Sequence, residues 1–254
     1  MPHKIAIIKH LDELTPEARD VGAVNTVIIR NENGMRKYIG TNTDVNGIRD
    51  AFYQNVANPK EVFHNRPGLI VGGGGAARSA VYALQRWMQC QSIYIVNRDK
   101  SEVDAIIEEC QSKGFGYDLV HVATLEQAQS LEGPGAIVAC VPDFAPKTPD
   151  EFTVRQMLEC MVAKSHKGAV LEMCYNPSPW TQIAEISKNA GWQVILGTEA
   201  MIYQGLEQVC SDIINNPYMK LTGKAKLWTG RDLSEIPVKE VHDAIAAKLA
   251  ESNL

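Results

Sequence analysis

Apolar and polar positions alternate on two length scales from residue 66 onward. Short apolar runs rich in β-branched residues predict strands at residues 69–71, 92–96, 119–122, 136–141, 170–173 and 194–196. Residues 76–89 and 101–113 carry apolar side chains at helical spacing and predict amphipathic helices. Strands that alternate with helices are typical of βαβ units. Residues 66–198 are therefore predicted to form a doubly wound parallel sheet in an α/β, Rossmann-like domain.

The two ends of the chain follow a different pattern. Near the start, the sequence predicts a helix over residues 15–20 and a hairpin of strands 23–30 and 35–39, joined by a turn at residues 31–34. The chain becomes helical again after residue 196 and ends in an amphipathic helix over residues 237–249. We expect residues 1–65 and 199–254 to form a second, smaller α/β lobe, with a cleft between it and the central domain.

A glycine-rich loop joins the first strand of the central domain to its first helix. Gly72, Gly74 and Ala77 stand there in the pattern G-x-G-x-x-A. The first glycine permits a tight turn, the second lets the backbone approach a pyrophosphate, and the start of the helix attracts the anion. We predict a dinucleotide site at Gly72, Gly74, Gly75, Ala76 and Ala77. The alternative is a glycine-rich turn that holds no ligand.

The end of the second strand carries Asn97 and Arg98, where an enzyme that uses NAD usually places an acidic residue for the ribose. A guanidinium group binds a phosphate through paired, charge-assisted hydrogen bonds, so Arg98 favours NADP over NAD. Asp99 would repel that phosphate if its side chain pointed inward. The predicted cofactor contacts here are Asn97, Arg98 and Lys100, and the alternative is an ordinary turn at the end of a strand.

Composition and charge exclude several other classes of protein. The 254 residues carry a net charge of −5, and because Lys and Arg are scattered among Asp and Glu, no nucleic-acid surface is indicated. The six cysteines lie far apart, which indicates reduced thiols and neither a zinc site nor a disulfide framework. No signal segment or membrane-length apolar run is visible. We expect a cytoplasmic protein that binds a small molecule and needs no metal.

Three polar motifs near the start of the chain resemble those of the shikimate dehydrogenase family. They are MPHK at residues 1–4, GAVNT at residues 22–26 and GTNTDVNG at residues 40–47. The glycine loop, Asn97-Arg98, EMCYNPSPWT at residues 172–181 and GTEAMIYQG at residues 197–205 follow in the family's order. The resemblance implies that Lys4 and Asp44 are the catalytic pair at the substrate hydroxyl. It also implies that Asn25, Tyr175 and Gln204 bind the substrate.

The resemblance also implies a reaction. Members of the family reduce 3-dehydroshikimate to shikimate with NADPH, or interconvert quinate and dehydroquinate. Lys4 would exchange the hydroxyl proton, and since an ordinary lysine is a poor base at neutral pH, burial and Asp44 would have to tune it. Residues 225–231 look like the tail of the dehydrogenase domain in the fungal pentafunctional arom polypeptide and like part of the quinate repressor. The parent chain could therefore carry further domains.

Other features of the sequence favour a non-catalytic metabolite sensor that resembles the quinate repressor. These are Asp99 in place of threonine, the Tyr-x-Pro-x-x-Thr motif stretched by one residue to Thr181, and the altered loop at residues 139–144. The retained Lys4 and Asp44 favour the dehydrogenase. A Rossmann-like domain for another nucleotide would explain the glycine loop but not the ordered set from Lys4 to Gln204.

The family's chains also carry strands before the position of Met1, including a Ser-x-Ser motif for the substrate carboxylate. We therefore expect this chain to be truncated at its start and its substrate lobe to be incomplete. Such a lobe would have an uncovered apolar sheet face, low stability and weakened substrate binding.

Overall fold

The computed structural model describes residues 3–210, 239–241, 243–244 and 247. Its first part is a three-stranded sheet of β1 (Glu13–Leu14), β2 (Thr26–Glu32) and β3 (Met35–Thr41), in the order β1-β3-β2. A 3-10 helix (Ala6–His10) precedes β1, and helix α1 (Pro16–Val21) connects β1 to β2. β2 and β3 pair in antiparallel register along their whole length, which confirms the predicted hairpin.

The hairpin differs from the prediction at both ends of its first strand. The turn is tighter, because its central residues Asn33 and Gly34 have φ angles of 51° and 81°, a pair that matches the twist of the flanking strands. At the other end, Gly22 ends α1 with φ 67°, and the N–H of Val24 donates to the carbonyl of Lys4 at 2.7 Å. Residues 23–25 are therefore a linker, and β2 begins at Thr26.

The central sheet is parallel throughout and confirms the predicted Rossmann-like fold. Its strands are β4 (Gly68–Val71), β5 (Ile93–Val96), β6 (Leu119–His121), β7 (Ala136–Ala139), β8 (Ala169–Glu172) and β9 (Gln193–Leu196). The order β6-β5-β4-β7-β8-β9 switches direction between β4 and β7. Ligands bind at the carboxyl ends of the strands at such a point.

Within residues 3–210, eight further α-helices follow the first sheet or connect the strands of the second. They are α2 (Asp44–Asn55), α3 (Pro59–Val62), α4 (Gly75–Tyr82), α5 (Lys100–Ser112), α6 (Leu125–Ser130), α7 (Pro149–Val162), α8 (Gln182–Asn189) and α9 (Gly197–Cys210). The helix predicted over residues 76–89 is present as α4 and a π-helical turn, Ala83–Trp87. The helix predicted over residues 101–113 is α5.

Alternate residues of each central strand face two separate cores. Ile70 and Val138 pack in one core with residues of α2 and α4, whereas Leu69 and Ile137 pack in the other with residues of α7 and α8. β4, β5, β7 and β8 are buried along their whole length. This explains why these strands are apolar apart from Glu172, because strands covered on both faces have no polar side.

Helix α9 leaves the central sheet and packs on α2. Gly47 permits the close approach, because a Cβ atom there would lie 2.5 Å from the carbonyl oxygen of Ala200. The contact brings Gln204 of α9 beside the start of α2. Of the helix predicted over residues 237–249, the described residues 239–241, 243–244 and 247 are helical. Residues 225–231 lie outside the described residues, and the domain boundaries after residues 65 and 198 stay a prediction.

One face of the three-stranded sheet is apolar and exposed. Ile29 pairs with Tyr38 across the hairpin, and Val27 lies on the same face because side chains alternate along a strand. The exposed fractions of Ile29, Tyr38 and Val27 are 59%, 40% and 40%. An uncovered apolar face was expected here, while the low stability of this lobe stays a prediction. Within the described residues, no helix is long and apolar enough to cross a membrane.

Candidate active site

Lys4 and Asp44 form an ion pair. Lys4 lies just before the 3-10 helix, and Asp44 is the first residue of α2. Their side chains are only 16% and 11% exposed. Because water screens such a pair poorly, the attraction holds the ammonium group in one position.

Asn25 holds the Asp44 carboxylate from a second side. Its Nδ2 donates to Asp44 Oδ1 at 2.7 Å and to Gln204 Oε1 at 3.2 Å. Its Oδ1 accepts a hydrogen bond from the backbone N–H of Thr43 at 2.9 Å. Asn25 therefore fixes both the start of α2 and the orientation of the Asp44 carboxylate.

These side chains line a cavity of about 410 Å³, which we call the substrate cavity. Its lining also includes Tyr175, from the loop after β8, with 42% of the residue exposed. The structure thus brings together all the residues predicted to act in catalysis or substrate binding, namely Lys4, Asn25, Asp44, Tyr175 and Gln204.

Gln208 also lines the substrate cavity and was missed in the sequence. It lies one helical turn after Gln204, to whose Oε1 its Nε2 donates at 2.8 Å. The same Nε2 donates to the hydroxyl of Thr26 at 3.0 Å. The spacing of four residues on a helix was the available signal, because such residues lie on one face.

A second cavity, of about 320 Å³, lies at the carboxyl ends of β4, β5, β7 and β8, and we call it the cofactor cavity. Gly72, Gly73 and Gly74 line it, and Gly72 has φ 120°, a backbone conformation that other residues rarely adopt. The space beside Gly74 is open, since a Cβ atom there would meet nothing within 4 Å. Within the described part of the chain no side chain caps the start of α4. Open space and uncapped N–H groups fit the pyrophosphate of a dinucleotide.

The other residues of the glycine loop have different surroundings. Gly75 begins α4 and lies against Lys4, whose Cδ would be 3.3 Å from a Cβ atom on Gly75. Ala76 lines the substrate cavity, and Ala77 is fully buried in the core. The two cavities share Cys140, Val141 and Pro142 in their walls. The glycine loop and Lys4 therefore lie where the two cavities adjoin.

Asn97 and Arg98, two of the predicted cofactor contacts, line the cofactor cavity. The Asn97 Nδ2 donates to Glu102 Oε2 at 2.7 Å. The Arg98 guanidinium pairs with the carboxylate of Glu151 at the start of α7. Both partners are acids that the sequence analysis did not single out.

The side chains of Asp99 and Lys100 bind residues of α5. Asp99 caps α5, because its Oδ1 accepts hydrogen bonds from the hydroxyl (2.6 Å) and the N–H (2.8 Å) of Ser101. These bonds hold the pKa of Asp99 below its ordinary value. Lys100 pairs with Asp104 one turn later and is not among the residues that line the cavity.

A buried carboxyl group stands at the start of the Tyr-x-Pro motif. Glu172, the last residue of β8, is 1% exposed and accepts hydrogen bonds from the hydroxyl of Thr181 (2.7 Å) and the N–H of Cys174 (2.9 Å). Burial raises the pKa of Glu172 to about 7. Thr181 also caps α8. The extra residue in the motif therefore lengthens the loop before Thr181. The threonine itself binds Glu172 and caps α8.

The similarity of this chain to known proteins agrees with the fold and the site. Residues 1–27 match the family model for the shikimate dehydrogenase substrate binding domain. The chain is 44% identical over 260 residues to the quinate dehydrogenase of Emericella nidulans, in an alignment that covers 99% of this chain and 74% of that protein. The chain belongs to the shikimate and quinate dehydrogenase family.

Further members of this dehydrogenase family are more distant. The pentafunctional AROM polypeptide of Saccharomyces cerevisiae is 32% identical over 250 residues, which are 96% of this chain and 14% of the polypeptide. The solved structure of dehydroquinate dehydratase and shikimate dehydrogenase from S. pombe AroM is 27% identical, with a TM-score of 0.69 over 97% of this chain and 42% of that one. Shikimate 5-dehydrogenase of Thermus thermophilus, solved in complex with NADP(H) and shikimate, is 26% identical, with a TM-score of 0.59 over 82% of this chain and 69% of that one.

Membership of the shikimate and quinate dehydrogenase family makes this chain an oxidoreductase and does not favour the sensor. The features that suggested a sensor have structural explanations here. Asp99 caps a helix, Thr181 keeps its contacts, and Asp143 of the altered loop accepts a hydrogen bond from the N–H of Gln182 at 3.1 Å.

Proposed function

We propose that this chain is a nicotinamide-dependent dehydrogenase that interconverts a ring alcohol of the shikimate and quinate class with the corresponding ketone. The shielded Lys4–Asp44 pair, located where the substrate cavity adjoins the cofactor cavity, carries this proposal. Oxidation of quinate is the first reaction to test, because the relative with 44% identity is a quinate dehydrogenase. Reduction of 3-dehydroshikimate to shikimate is the second.

NADP is the proposed cofactor. The Arg98 guanidinium in the cofactor cavity supports it, since a 2′-phosphate can accept paired hydrogen bonds from that group. When bound, the nicotinamide supplies the hydride acceptor or donor of the reaction.

Lys4 handles the proton of the substrate hydroxyl. Its Nζ lines the substrate cavity. As an amine it takes this proton when the alcohol is oxidised, and as an ammonium group it returns a proton when the ketone is reduced. Asp44 binds that ammonium group through Oδ2 while its Oδ1 accepts from Asn25. With both oxygens engaged, the carboxylate stays in place and orients Lys4.

Gln204 binds a polar group of the substrate. Within the described part of the chain its hydrogen bonds all end at Oε1, which accepts from Asn25 (3.2 Å), Thr43 (3.1 Å) and Gln208 (2.8 Å). These three donors fix the orientation of the amide, so its Nε2 is left to donate into the cavity. Tyr175, at the opening of the same cavity, supplies a phenolic hydroxyl.

We further propose a cytoplasmic location. Cys90, Cys110, Cys140, Cys160 and Cys174 are free thiols, which suits a reducing compartment. The similarity to one segment of the AROM polypeptides supports the presence of further domains in the parent chain.

The test combines two alcohols with two cofactors. The purified chain is mixed with quinate or shikimate and with NADP⁺ or NAD⁺, and the absorbance of the reduced nicotinamide is followed. We expect turnover of quinate with NADP⁺. Tight binding of the alcohol and the nucleotide without turnover in any combination would contradict the proposal and restore the sensor.

A further inference from the structure

The carboxylate of Glu151 is fixed by the start of α7. Its Oε2 accepts hydrogen bonds from the N–H groups of Lys147 at 2.8 Å and Thr148 at 3.1 Å. In return the hydroxyl of Thr148 accepts from the N–H of Glu151 at 3.3 Å, which completes a capping box. These N–H donors, with a smaller effect from Arg98, hold the pKa of Glu151 below its ordinary value. Glu151 is therefore ionised, and these hydrogen bonds hold its carboxylate in one orientation.

Arg98 is the adaptable partner of this ion pair. Its side chain is 64% exposed, whereas that of Glu151 is 26% exposed. The guanidinium binds Glu151 Oε1, the oxygen that the capping box does not use. Because long exposed side chains change rotamer at low cost, Arg98 can turn toward another anion, but it loses the Glu151 carboxylate when it does.

The cofactor cavity offers few other cations. Among the residues that the structure describes, its charged lining consists of two arginines and four acids, namely Arg98, Arg155, Glu102, Asp143, Glu151 and Glu172. Arg155 lies on α7, where its Nη1 is 3.4 Å from Gln182 Oε1 of α8. In this fold the residues after the second strand contact the ribose of the nucleotide. Here that position carries Arg98, with Glu102 of α5 nearby and Glu151 of α7 across the cavity.

We propose that Glu151 is a specificity-determining residue. Its carboxylate competes with the 2′-phosphate of NADP for Arg98 and so lowers the affinity for NADP relative to that for NAD. This inference rests on the proposed function, because it requires an adenosine dinucleotide in the cofactor cavity. Glu151 acts through Arg98 and is a positioning residue.

The variant Glu151→Gln tests the competition without removing the helix cap. Glutamine also completes a capping box, but it cannot form the ion pair. The probes are adenosine 2′,5′-bisphosphate and adenosine 5′-monophosphate, titrated by calorimetry, which requires neither substrate nor turnover. We expect about threefold to fivefold tighter binding of the bisphosphate and less than about a twofold change for the monophosphate.

Two further variants serve as controls. Glu159→Gln removes the same charge from an exposed position of the same helix and should leave both affinities unchanged. In the double variant Arg98→Gln/Glu151→Gln the gain for the bisphosphate should disappear, because its donor is gone.

Three results would overturn the inference. They are an unchanged affinity ratio in Glu151→Gln, an equal gain for both nucleotides, and a gain that persists without Arg98. In each of these cases quinate oxidation by the wild-type chain would leave the proposed function intact. If the wild-type chain bound neither nucleotide, the inference and the proposed cofactor site would both fail.

Discussion

Asp44 divides its carboxylate between Lys4 and Asn25, with one oxygen for each. The three residues come from the start of the chain, the linker before β2 and the start of α2, so the arrangement exists only in the folded lobe. It places an ammonium group beside the glycine loop, where Lys4 also contacts the position of Gly75.

Asp44→Asn should lower kcat by about a hundredfold or more, because Lys4 loses the anion that holds it and orients it for proton transfer. Asparagine has nearly the same shape, so the fold should be preserved. Steady-state kinetics with quinate measures the effect, and calorimetry with the nucleotide serves as the control. A kcat within about twofold of the wild-type value would show that the pair is not part of catalysis.

Gln204→Glu should raise the KM for the alcohol by about tenfold, since it removes the Nε2 donor and puts a negative charge in the substrate cavity. Gln208→Glu makes the same change one helical turn later. It should have a smaller effect on KM, because Gln208 contacts Gln204 and Thr26 within the protein. Equal effects of the two variants on KM would contradict the proposed substrate contact.

Gly74→Ala and Gly72→Ala should separate cofactor binding from folding. Gly74→Ala adds a methyl group in open space, so Tm should stay within about 2 °C while nucleotide affinity falls about tenfold or more. Gly72→Ala forces alanine to φ 120° and should cost about 1–3 kcal/mol of stability. Thermal unfolding and nucleotide titration of both variants test this. Unchanged nucleotide affinity in Gly74→Ala would mean that the loop holds no cofactor.

Glu172 should make stability fall as the pH rises. Its pKa is raised from 4.5 to about 7 in the folded chain, so folding favours the protonated form. The resulting stabilisation is complete below the unfolded pKa and is lost as the pH rises through about 7. Between pH 5 and pH 8 the wild-type chain should lose up to about 3 kcal/mol relative to Glu172→Gln. Urea unfolding of both proteins at the two pH values measures the difference, and parallel changes would contradict it.

The central sheet could be predicted because each strand has a signal within a few consecutive residues. Strands such as β4 and β7 are short apolar runs with turns on either side, and burial on both faces explains that pattern. Helix α2 is absent from the prediction, although Thr43 and Asp44 are residue types that often begin a helix. In the structure the side chain of Thr43 makes no cap hydrogen bond, and Asn25 accepts from the N–H of Thr43. Helix α7 had a local signal in Thr148 and Glu151 that was overlooked.

The candidate site could be predicted only through a family resemblance. Asn25 and Gln204 are 179 residues apart in sequence, and no periodicity links residues at such a distance. Arg98 and Glu151 are 53 residues apart. Arg98 belongs to a family motif but Glu151 does not, so the resemblance did not indicate their ion pair. Lys100 is predicted as a cofactor contact, but neighbouring side chains in the first turn of a helix point in different directions. Lys100 pairs with Asp104 and does not line the cofactor cavity.

The role of Lys4 in proton transfer is best measured by the rate of quinate oxidation in Lys4→Met, with nucleotide binding determined on the same sample. Lys9→Met is the matched control, because Lys9 is exposed on the 3-10 helix that follows. We expect Lys4→Met to bind the nucleotide normally and to lose about a hundredfold or more in kcat, while Lys9→Met keeps the wild-type rate. Equal rates for Lys4→Met and Lys9→Met would contradict the assignment of Lys4 as the group that carries the proton.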